Sequence, residues 1–329
     1  MTYDGAILRR ATARYEEDKR RRAEQFQTLR QTLYRREPRL EEIDRELSHT
    51  MAKIVASAFR RGTDPSAPIA ALREANLALQ RERGEILHGM GYPPDCLVEK
   101  PKCEKCGDSG WANGRMCPCL RAYYAREQNA ELSRMLDLGT QSFDTFDLNY
   151  YSANETFNRP RSARDNMVRN LDVCQGFAHY FPSSKMRNLL LSGDPGLGKT
   201  FLSACIAREV SEKGYSVVYD TAAHIFSRFE ARRFRYDDDE ADGDVSRFLR
   251  CDLLILDDLG TEFNGPLVTS ALYEVVNTRL SERRSTIIST NLAPNAIGER
   301  YGAAILSRIR GEYEFLLFYG EDIRRLKKR

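Results

Sequence analysis

The apolar and polar positions of this chain follow two different patterns. Up to about His88, apolar residues recur every three or four positions in a highly charged sequence, which predicts amphipathic helices. Beyond about residue 185, apolar runs of strand length alternate with segments of helical spacing, as a parallel sheet with connecting helices requires. The pattern therefore predicts an α/β fold with a parallel sheet, preceded by an α-helical N-terminal region.

Three helices are predicted in the N-terminal region. Pro38 separates the first from the second, and the segment 62–65, Gly-Thr-Asp-Pro, separates the second from the third. Their apolar stripes consist of Phe26, Leu29 and Leu33, then Leu40, Ile43, Leu47, Met51 and Ile54, then Leu72, Leu79 and Ile86. Stripes this narrow bury little surface alone, so we expect either a self-contained bundle or a helical hairpin completed by a partner protein.

Length and charge limit the class of protein. A chain of 329 residues is too long for one typical domain, and a net charge of +3 does not by itself indicate a nucleic-acid-binding protein. No apolar run reaches the length of a membrane span, and the first residues lack the apolar core of a secretory signal. We therefore expect a cytoplasmic protein without a membrane partner.

Four of the eight cysteines crowd into one short segment, as Cys103, Cys106, Cys117 and Cys119. A C-x-x-C pair and a C-x-C pair joined by a turn-rich loop can direct four thiolates at one Zn²⁺ ion. Disulfide pairing or a redox role are the alternatives, and a reducing cytoplasm disfavours the first of them. Four thiolates leave no open coordination position, so the predicted zinc is structural, and Cys96 lies outside the predicted site.

A phosphate-binding loop follows the first predicted strand of the sheet. The apolar run 189–191 enters a segment of the form G-x-x-x-x-G-K-T, and a helical pattern starts directly after it. Glycines let successive backbone N–H groups point at phosphate oxygens, and the following helix adds the positive end of its dipole. The expected nucleotide-binding residues are Gly193, Asp194, Pro195, Gly196, Leu197, Gly198, Lys199, Thr200 and Phe201.

Two later strands end in polar residues suited to the same chemistry. The strand 253–256 ends in Asp257 and Asp258, which places one carboxylate near a Mg²⁺ ion and the next near the γ-phosphate. The strand 285–289 leads to Asn291, whose amide is expected to contact the γ-phosphate or the attacking water. Between the strands we expect a helix over 222–234 and a solvated acidic loop over 237–244.

An aromatic connector precedes the sheet. It contains Phe143, Phe146, Tyr150 and Tyr151 and follows a helix that is predicted to start at Leu120. We expect it to pack either across the nucleotide-binding core or plainly on the surface.

These motifs together resemble a known family. The phosphate loop, the acid pair, the strand end at Asn291 and the segments 307–310 and 320–324 look like an AAA+ ATPase of the bacterial replicative-helicase-loader type (DnaC/DnaI-like). The cysteine cluster and the segment 143–147, Phe-Asp-Thr-Phe-Asp, resemble the version in Gram-positive bacteria and their phages. The resemblance covers about residues 95–325 and implies ATP hydrolysis.

The resemblance also implies roles for single residues. Lys199 and Thr200 bind phosphate and Mg²⁺, Asp257 coordinates Mg²⁺, and Asp258 positions water. The resemblance also implies that Asn291 is a sensor and that Arg324 is a second sensor. Arg308 would be the arginine finger that is offered to a neighbouring subunit. Arg310 competes with Arg308 for the finger role, and a surface role for both arginines stays open.

The implied partners are a replicative DNA helicase, single-stranded DNA and further copies of this chain. The N-terminal helices would bind the helicase. DNA contacts or a solvated helix face would explain an interleaved set of basic and aromatic residues: Lys185, Arg187, Arg228, Phe229, Arg232, Arg233, Phe234, Arg235 and Tyr236.

The expected organisation has four parts. They are a helical partner-binding region at 1–95, a zinc-binding module at 96–122, a helix and linker at 123–164 and the AAA+ ATPase domain at 165–329. Two other functions stay open: an IstB-like transposition-helper ATPase, and a non-loading adaptor in which ATP only sets the conformation. The cysteine cluster and the long helical N-terminus argue against the first, and Asp258 in place of a glutamate leaves the second open.

Overall fold

The structure of the chain is a computed structural model. It describes residues 3–58, 66–134, 136, 140–234 and 239–327, and it describes side chains outside 51–69 and 239–241. The chain divides into two compact units, one formed by Met1–Ala13 with Pro118–Arg329 and the other by Arg14–Cys117. No helix among the described residues is long and apolar enough to cross a membrane.

The smaller unit is mainly helical, as its apolar period predicts. Its helices are α1 (Gly5–Arg36), which it contains from Arg14 onward, α2 (Arg39–Ala58) and α3 (Ser66–Gly89). The break at Pro38 is confirmed, whereas the predicted break over 62–65 and the side chains of Met51 and Ile54 lie outside what is described. A two-stranded antiparallel hairpin, β1 (Trp111–Ala112) and β2 (Arg115–Met116), lies in the cysteine segment.

Part of the apolar stripes of these helices faces inward, whereas Phe26, Leu47, Leu72 and Leu79 are only half-buried. Leu33, Leu40, Leu87 and Leu97 form a buried cluster, and Ile43 has no exposed surface. Helices α2 and α3 are also joined by polar contacts, because the Arg39 guanidinium donates to both carboxylate oxygens of Glu82 at 2.7 and 3.1 Å. The stripe therefore forms the interior of this unit, which favours the self-contained bundle over a stripe left open for a partner.

The larger unit is built on a parallel five-stranded sheet, so the predicted fold class is confirmed. The strand order is β4-β5-β6-β3-β7, and each neighbouring pair is parallel. The strands are β3 (Leu189–Gly193), β4 (Val217–Thr221), β5 (Leu253–Leu259), β6 (Ser285–Thr290) and β7 (Glu314–Phe318). The carboxyl ends of β3, β5 and β6, which carry the candidate residues, are therefore next to one another.

Helices cover both faces of this sheet. They are α4 (Pro118–Leu132), α5 (Ala163–Tyr180), α6 (Lys199–Glu212), α7 (Ala222–Phe234), α8 (Asp239–Arg250), α9 (Pro266–Ser281), α10 (Pro294–Tyr301), α11 (Ala303–Glu312) and α12 (Ile323–Leu326). Alternate strand residues point to opposite faces: Leu189 and Leu191 pack with residues of α5 and α6, and Leu190 packs with residues of α7 to α11. Runs of apolar residues without alternation are what strands buried on both faces require.

Two predictions for this unit need correction or addition. The acidic loop expected over 237–244 is wrong from Asp239 on, because this stretch starts helix α8, while 237 and 238 lie outside the described residues. Val245 and Phe248 are buried on α8, so burial of its apolar side stabilises this helix, and acidic residues near a helix N-terminus interact favourably with its dipole. Strand β7, which pairs with β3, was not predicted.

Candidate nucleotide-binding site

The phosphate-binding loop has the backbone conformation that its glycines allow. Gly196 and Gly198 have φ values of +80° and +89°, in the left-handed region. A Cβ atom at Gly196 would lie 2.0 Å from the Asp322 carboxylate, and one at Gly198 would lie 2.7 Å from the Tyr151 hydroxyl. Both glycines are therefore required by backbone angle, and a Cβ atom at either position would also displace a neighbouring side chain. Helix α6 starts directly after the loop at Lys199.

Lys199 is held inside this loop. The residue is only 6% exposed, and its ammonium donates to the carbonyl oxygens of Gly193 at 2.6 Å and Asp194 at 2.9 Å. Burial lowers the pKa of Lys199, and the nearby carboxylates of Asp258 and Asp257 oppose this shift. An ammonium that is held by carbonyl oxygens and little hydrated can turn to the phosphates of a bound nucleotide.

Asp257 lies at the end of β5 with only 2% of its surface exposed. Its Oδ2 atom accepts a hydrogen bond from the Thr200 hydroxyl at 3.3 Å and another from the Tyr219 hydroxyl. Its Oδ1 atom is buried and has no hydrogen-bond partner among the residues that the structure describes. A hydroxyl and a carboxylate with a free oxygen are suited to a Mg²⁺ ion and its water ligands, so these residues fit the implied metal.

Asp258 is exposed and has a φ of 54°, an uncommon angle for a residue other than glycine. Partial burial, followed by the neighbouring Asp257 carboxylate, raises the pKa of Asp258, whereas Lys199 and Arg324 oppose this rise. Its backbone carbonyl accepts from the Thr261 hydroxyl at 2.9 Å. The turn thus presents the Asp258 carboxylate to the cavity described below.

Asn291 is exposed just after β6, and the residues on either side of it are tied to both neighbouring strand ends. The Ser192 hydroxyl donates to the Leu292 carbonyl at 2.7 Å, and the Thr290 hydroxyl donates to the Leu259 carbonyl at 2.6 Å. Asn291 therefore has a fixed place between the phosphate loop and the acid pair.

A cavity of about 470 Å³ joins these residues. The loop residues from Pro195 to Phe201 form one wall, and Asp258, Asn291 and Arg324 line it as well. The connector also contributes, since Phe146, Tyr150 and Tyr151 are lining residues.

The connector contacts the phosphate loop directly, so it packs across the nucleotide-binding core. The Tyr151 hydroxyl donates to the Leu197 carbonyl at 3.0 Å, and Phe146 packs edge-on against Phe201 with ring centroids 5.4 Å apart. A pocket with phosphate-binding groups and aromatic walls has the composition that a nucleotide requires.

The two candidate finger arginines are in different environments, and neither lines the cavity. Arg308 on α11 lies 4.7 Å above the ring centroid of Tyr273 and donates to its hydroxyl at 2.9 Å and to the Asn277 amide oxygen at 3.1 Å. Arg310 is exposed and donates to Asn295 at 2.6 Å. The structure thus keeps both arginines apart from the phosphate loop of their own chain.

The four clustered cysteines come together as predicted. The sulfur atoms of Cys103, Cys106, Cys117 and Cys119 all lie within 4.8 Å of one another. The turn after the first pair is held by Asp108, whose carboxylate accepts from the backbone N–H of Cys103 at 2.9 Å. Four thiols at this separation fit one tetrahedral Zn²⁺ ion.

Sequence reasoning missed some residues of the nucleotide site. Tyr219 and Thr261 carry no motif: Tyr219 reaches the site through β4, which lies beside β5, and Thr261 through the turn after β5. Asp322 lies in the segment 320–324 that carries the resemblance, but no role was predicted for it. The packing of Asp322 against Gly196 depends on the segment after β7. The backbone of this segment also contacts the loop, through a hydrogen bond from the Ile323 N–H to the Gly196 carbonyl at 3.0 Å.

The strand order, the phosphate loop and the paired acids define an ATP-binding AAA+ P-loop protein. A family described as IstB-like ATP binding protein matches residues 144–329, more than half of the chain, and the chain belongs to this family. This membership confirms the predicted class, an AAA+ ATPase, and the expected similarity to helicase loaders is found as well.

The relatives include proteins of two described kinds. An insertion sequence ATP-binding protein (y4iQ/y4nD/y4sD) of Sinorhizobium fredii is 34% identical over 33% of this chain and 35% of its own length. The replicative helicase loader DnaC of Escherichia coli is 27% identical over 42% of this chain and 56% of its own length. The chain thus spans only about a third to just over half of the length of these relatives.

The chain is also similar to a solved structure, the crystal structure of the DnaC helicase loader. The TM-score is 0.45 and the sequence identity 20%, and the match covers 56% of this chain and 99% of that one.

Proposed function

We propose that this protein binds and hydrolyses ATP with Mg²⁺ and loads a replicative DNA helicase onto single-stranded DNA. The observation that carries the ATPase part is the cavity at the carboxyl ends of β3, β5 and β6, which joins the phosphate loop, Asp258 and Asn291. Bound Mg²⁺ would neutralise charge developing on the phosphates.

Five residues that line the cavity, together with Asp257, which does not line it, have roles in this proposal. Lys199 binds the phosphates, Thr200 and Asp257 hold Mg²⁺ and its water ligands, and Asp258 orients the attacking water. Asn291 contacts the γ-phosphate or that water. Arg324 lies on the cavity wall and provides a positive charge within the same chain.

Arg308 is the proposed finger for a neighbouring copy. It lies outside the cavity of its own chain, and its contacts with Tyr273 and Asn277 hold the guanidinium in one place. A finger that acts in trans needs both properties. The proposed active form is therefore an assembly of several copies.

Helicase loading is favoured over transposition help by the part of the chain that precedes the family match. Residues 14–117 form a compact unit of their own with a leucine cluster, and the cysteine segment follows its helices. A separate unit without a nucleotide-binding motif suits the recognition of another protein. The transposition-helper alternative is supported by the family and by the insertion-sequence relative.

The proposed helicase-binding surface cannot be the buried stripe with Ile43. Leu77 on α3 is 48% exposed, and we propose it as one contact of the surface that binds the helicase. Gln80, one turn away on the same helix, is also exposed and provides a matched control.

The proposed DNA surface is smaller than the sequence indicates. Arg232 donates hydrogen bonds to both carboxylate oxygens of Glu274 at 2.9 Å. Arg228 forms an ion pair with Asp244 at 2.8 Å. On α7 the exposed residues are Arg233 and Phe234, the latter by 64%, whereas Arg235 and Tyr236 lie outside the described residues. Lys185 and Arg187 are also exposed, and Arg187 donates to the Arg283 carbonyl at 3.0 Å. We propose that Arg233 supplies a phosphate contact and Phe234 a stacking surface.

The zinc and the cytoplasmic location complete the proposal. One structural Zn²⁺ ion bound by the four cysteines would fix the segment 103–119, whose ligands are close enough to share it. A zinc–thiolate site of this kind suits a reducing compartment.

The test uses the full chain with a purified bacterial replicative helicase. Capture of the helicase, and ATP hydrolysis that rises on addition of single-stranded DNA, are expected. Leu77→Asp should weaken capture by at least ~10-fold, the size of a small interface hot spot, while Gln80→Asp changes it little. Capture of a transposase and not of the helicase would favour the IstB-like alternative, and helicase binding without hydrolysis would favour the adaptor.

A further inference from the structure

The loop after β5 contains a buried carboxylate that has no role in the proposed chemistry. Glu262 is 8% exposed, and both of its carboxylate oxygens have donors. Oε2 accepts from the backbone N–H of Gly260 at 2.9 Å, and Oε1 accepts from the Tyr301 hydroxyl. Arg300 extends the network, since its Nε donates to the Tyr301 oxygen at 3.2 Å and its terminal nitrogen to the Glu262 carbonyl.

This carboxylate holds a turn that starts at Asp258. The hydroxyl and the backbone N–H of Thr261 both donate to the Asp258 carbonyl, at 2.9 and 3.3 Å. Gly260 has a φ of +109° and packs against Leu292, where an added Cβ would lie 2.8 Å away. Glu262 fixes this turn from its far end, because it is bonded to the N–H of Gly260 on one side and to α10 on the other.

The turn needs such support, because Asp258 itself has a left-handed φ of 54°. A residue with a Cβ atom keeps this angle only when its surroundings impose it. Glu262 does not line the nucleotide cavity, whereas Asp258 and Thr261 do. Any effect of Glu262 on the nucleotide must therefore pass through the turn.

We propose that Glu262 is a positioning residue which, through the Tyr301 hydroxyl and the Gly260 N–H, holds Asp258 at the angle needed to orient the attacking water. The inference rests on the proposed ATPase function. Helix α10 has a role in this inference as well. Its residues Arg300 and Tyr301 anchor the turn that contains Asp258, and its first residue follows Asn291 by three positions.

The experiment compares Glu262→Ala, Glu262→Gln and Tyr301→Phe in the full chain. Glu262→Ala removes both acceptors, so kcat should fall by about 10- to 100-fold, the range for a displaced catalytic group. The dissociation constant of ATP should stay within about twofold, because the phosphate loop is untouched. Glu262→Gln keeps one acceptor and should recover most of kcat, and Tyr301→Phe should give a loss between the two. Glu299→Ala, an exposed glutamate on α10, is the matched control.

A double-mutant cycle separates positioning from general damage to the fold. If Glu262 acts through Asp258, then Glu262→Ala should lower the residual rate of the Asp258→Asn protein by less than about twofold. A loss as large as in the wild-type background would overturn the inference, as would an unchanged kcat in both Glu262→Ala and Tyr301→Phe.

Two further results are distinguishable. If Glu262→Ala does not fold, Tyr301→Phe decides, because it removes a single hydroxyl and keeps the buried ring. Absence of hydrolysis in the wild type with Mg²⁺, DNA and assembled protein would overturn the proposed ATPase function and this inference together. If the wild type hydrolyses ATP and substitution of Glu262 leaves the rate unchanged, the inference about Glu262 is overturned and the proposed ATPase function is not.

Discussion

The two units of this protein are stabilised in different ways. The larger unit has two extensive apolar layers, one on each face of its sheet. The smaller unit has a cluster of four buried leucines. Its cysteine segment contains a β-hairpin with only two residues in each strand. In the first unit burial of apolar surface dominates, whereas in the cysteine segment the proposed Zn²⁺ ion would take its place.

This difference separates residues that do chemistry from residues that hold the fold. The polar candidate ATPase residues lie at strand ends and are not part of the two apolar layers, so these layers do not depend on them. The four thiols are the opposite case, because the proposed ion would join the two ends of the segment between them. Substitutions of polar residues at the nucleotide site should therefore change function without loss of stability, and substitutions at the cysteines should change local structure at constant ATP affinity.

Removal of the metal has the largest expected effect. A chelator, or Cys103→Ser with Cys117→Ser, should abolish the fixed structure of the segment, since a structural Zn²⁺ ion contributes on the order of 10 kcal/mol in small zinc domains. Trp111, the only tryptophan of the chain, lies in β1 of this segment, so its fluorescence reports the change directly. ATP affinity should change by less than about twofold.

The matched control is Cys96→Ser, because Cys96 lies outside the cluster. It should leave both the zinc content and the Trp111 fluorescence as in the wild type. A purified protein that has no zinc but keeps the wild-type fluorescence after chelation would contradict the proposed role of the ion.

Removal of the proposed finger comes next. Arg308→Ala should lower assembly-dependent hydrolysis by about 10³-fold, the lower range for an arginine finger, with nearly unchanged ATP binding by the monomer. Arg310→Ala should have a small effect, because Arg310 is exposed and its hydrogen bond to Asn295 lies away from the cavity. Steady-state hydrolysis over a range of protein concentrations measures both variants.

Mixing provides the control. Arg308→Ala protein retains an intact phosphate loop and Lys199→Ala protein retains the finger, so a mixture should regain some activity at composite interfaces. Wild-type hydrolysis by Arg308→Ala at concentrations where the protein assembles would contradict the role and transfer it to Arg310.

The phosphate-loop lysine has a smaller expected effect. Lys199→Ala should weaken ATP binding by about 10- to 100-fold, because a hydrogen bond to a charged group contributes roughly 1.5–3 kcal/mol. Asp258→Asn should retain binding and lose hydrolysis. Titration with a fluorescent ATP analogue checks the first result, and equal ATP affinity in wild type and Lys199→Ala would contradict the assignment.

Much of the larger unit was predictable because its signals are local. Helix α7 has the predicted bounds, Ala222–Phe234, and the phosphate loop follows β3 directly, as its motif requires. Strand β7 was missed because a single edge strand of five residues carries no motif and pairs with β3, a distant segment of the chain.

The supporting residues of the site could not be predicted for a related physical reason. Tyr219 reaches Asp257 only because β4 lies beside β5, with Thr221 opposite Asp257. Glu262 and Tyr301 are 39 positions apart and meet through the packing of α10. Their roles follow from tertiary contacts between residue types that are common everywhere in proteins, so no local pattern singles them out.

The smallest expected effect concerns the stability cost of the second acid. The pKa of Asp258 is raised in the folded protein, so folding disfavours the ionised carboxylate. The ionised carboxylate therefore lowers the free energy of unfolding. This loss of stability is absent below the ordinary pKa of aspartate and complete above the raised pKa. Asp258→Asn should therefore increase the free energy of unfolding at pH 7, by less than about 1 kcal/mol because the side chain is exposed. Asparagine also tolerates the left-handed φ well, which adds a gain that does not depend on pH.

Urea unfolding at several pH values separates the two contributions. The charge-dependent part should vanish as the pH falls below about 3.9, the ordinary pKa of aspartate, while the backbone part persists. Asp172→Asn, at an exposed carboxylate on α5, is the control for removal of a charge elsewhere. A lower stability of Asp258→Asn at pH 7 would show that this carboxylate supports the fold and would break the separation between residues for chemistry and residues for structure.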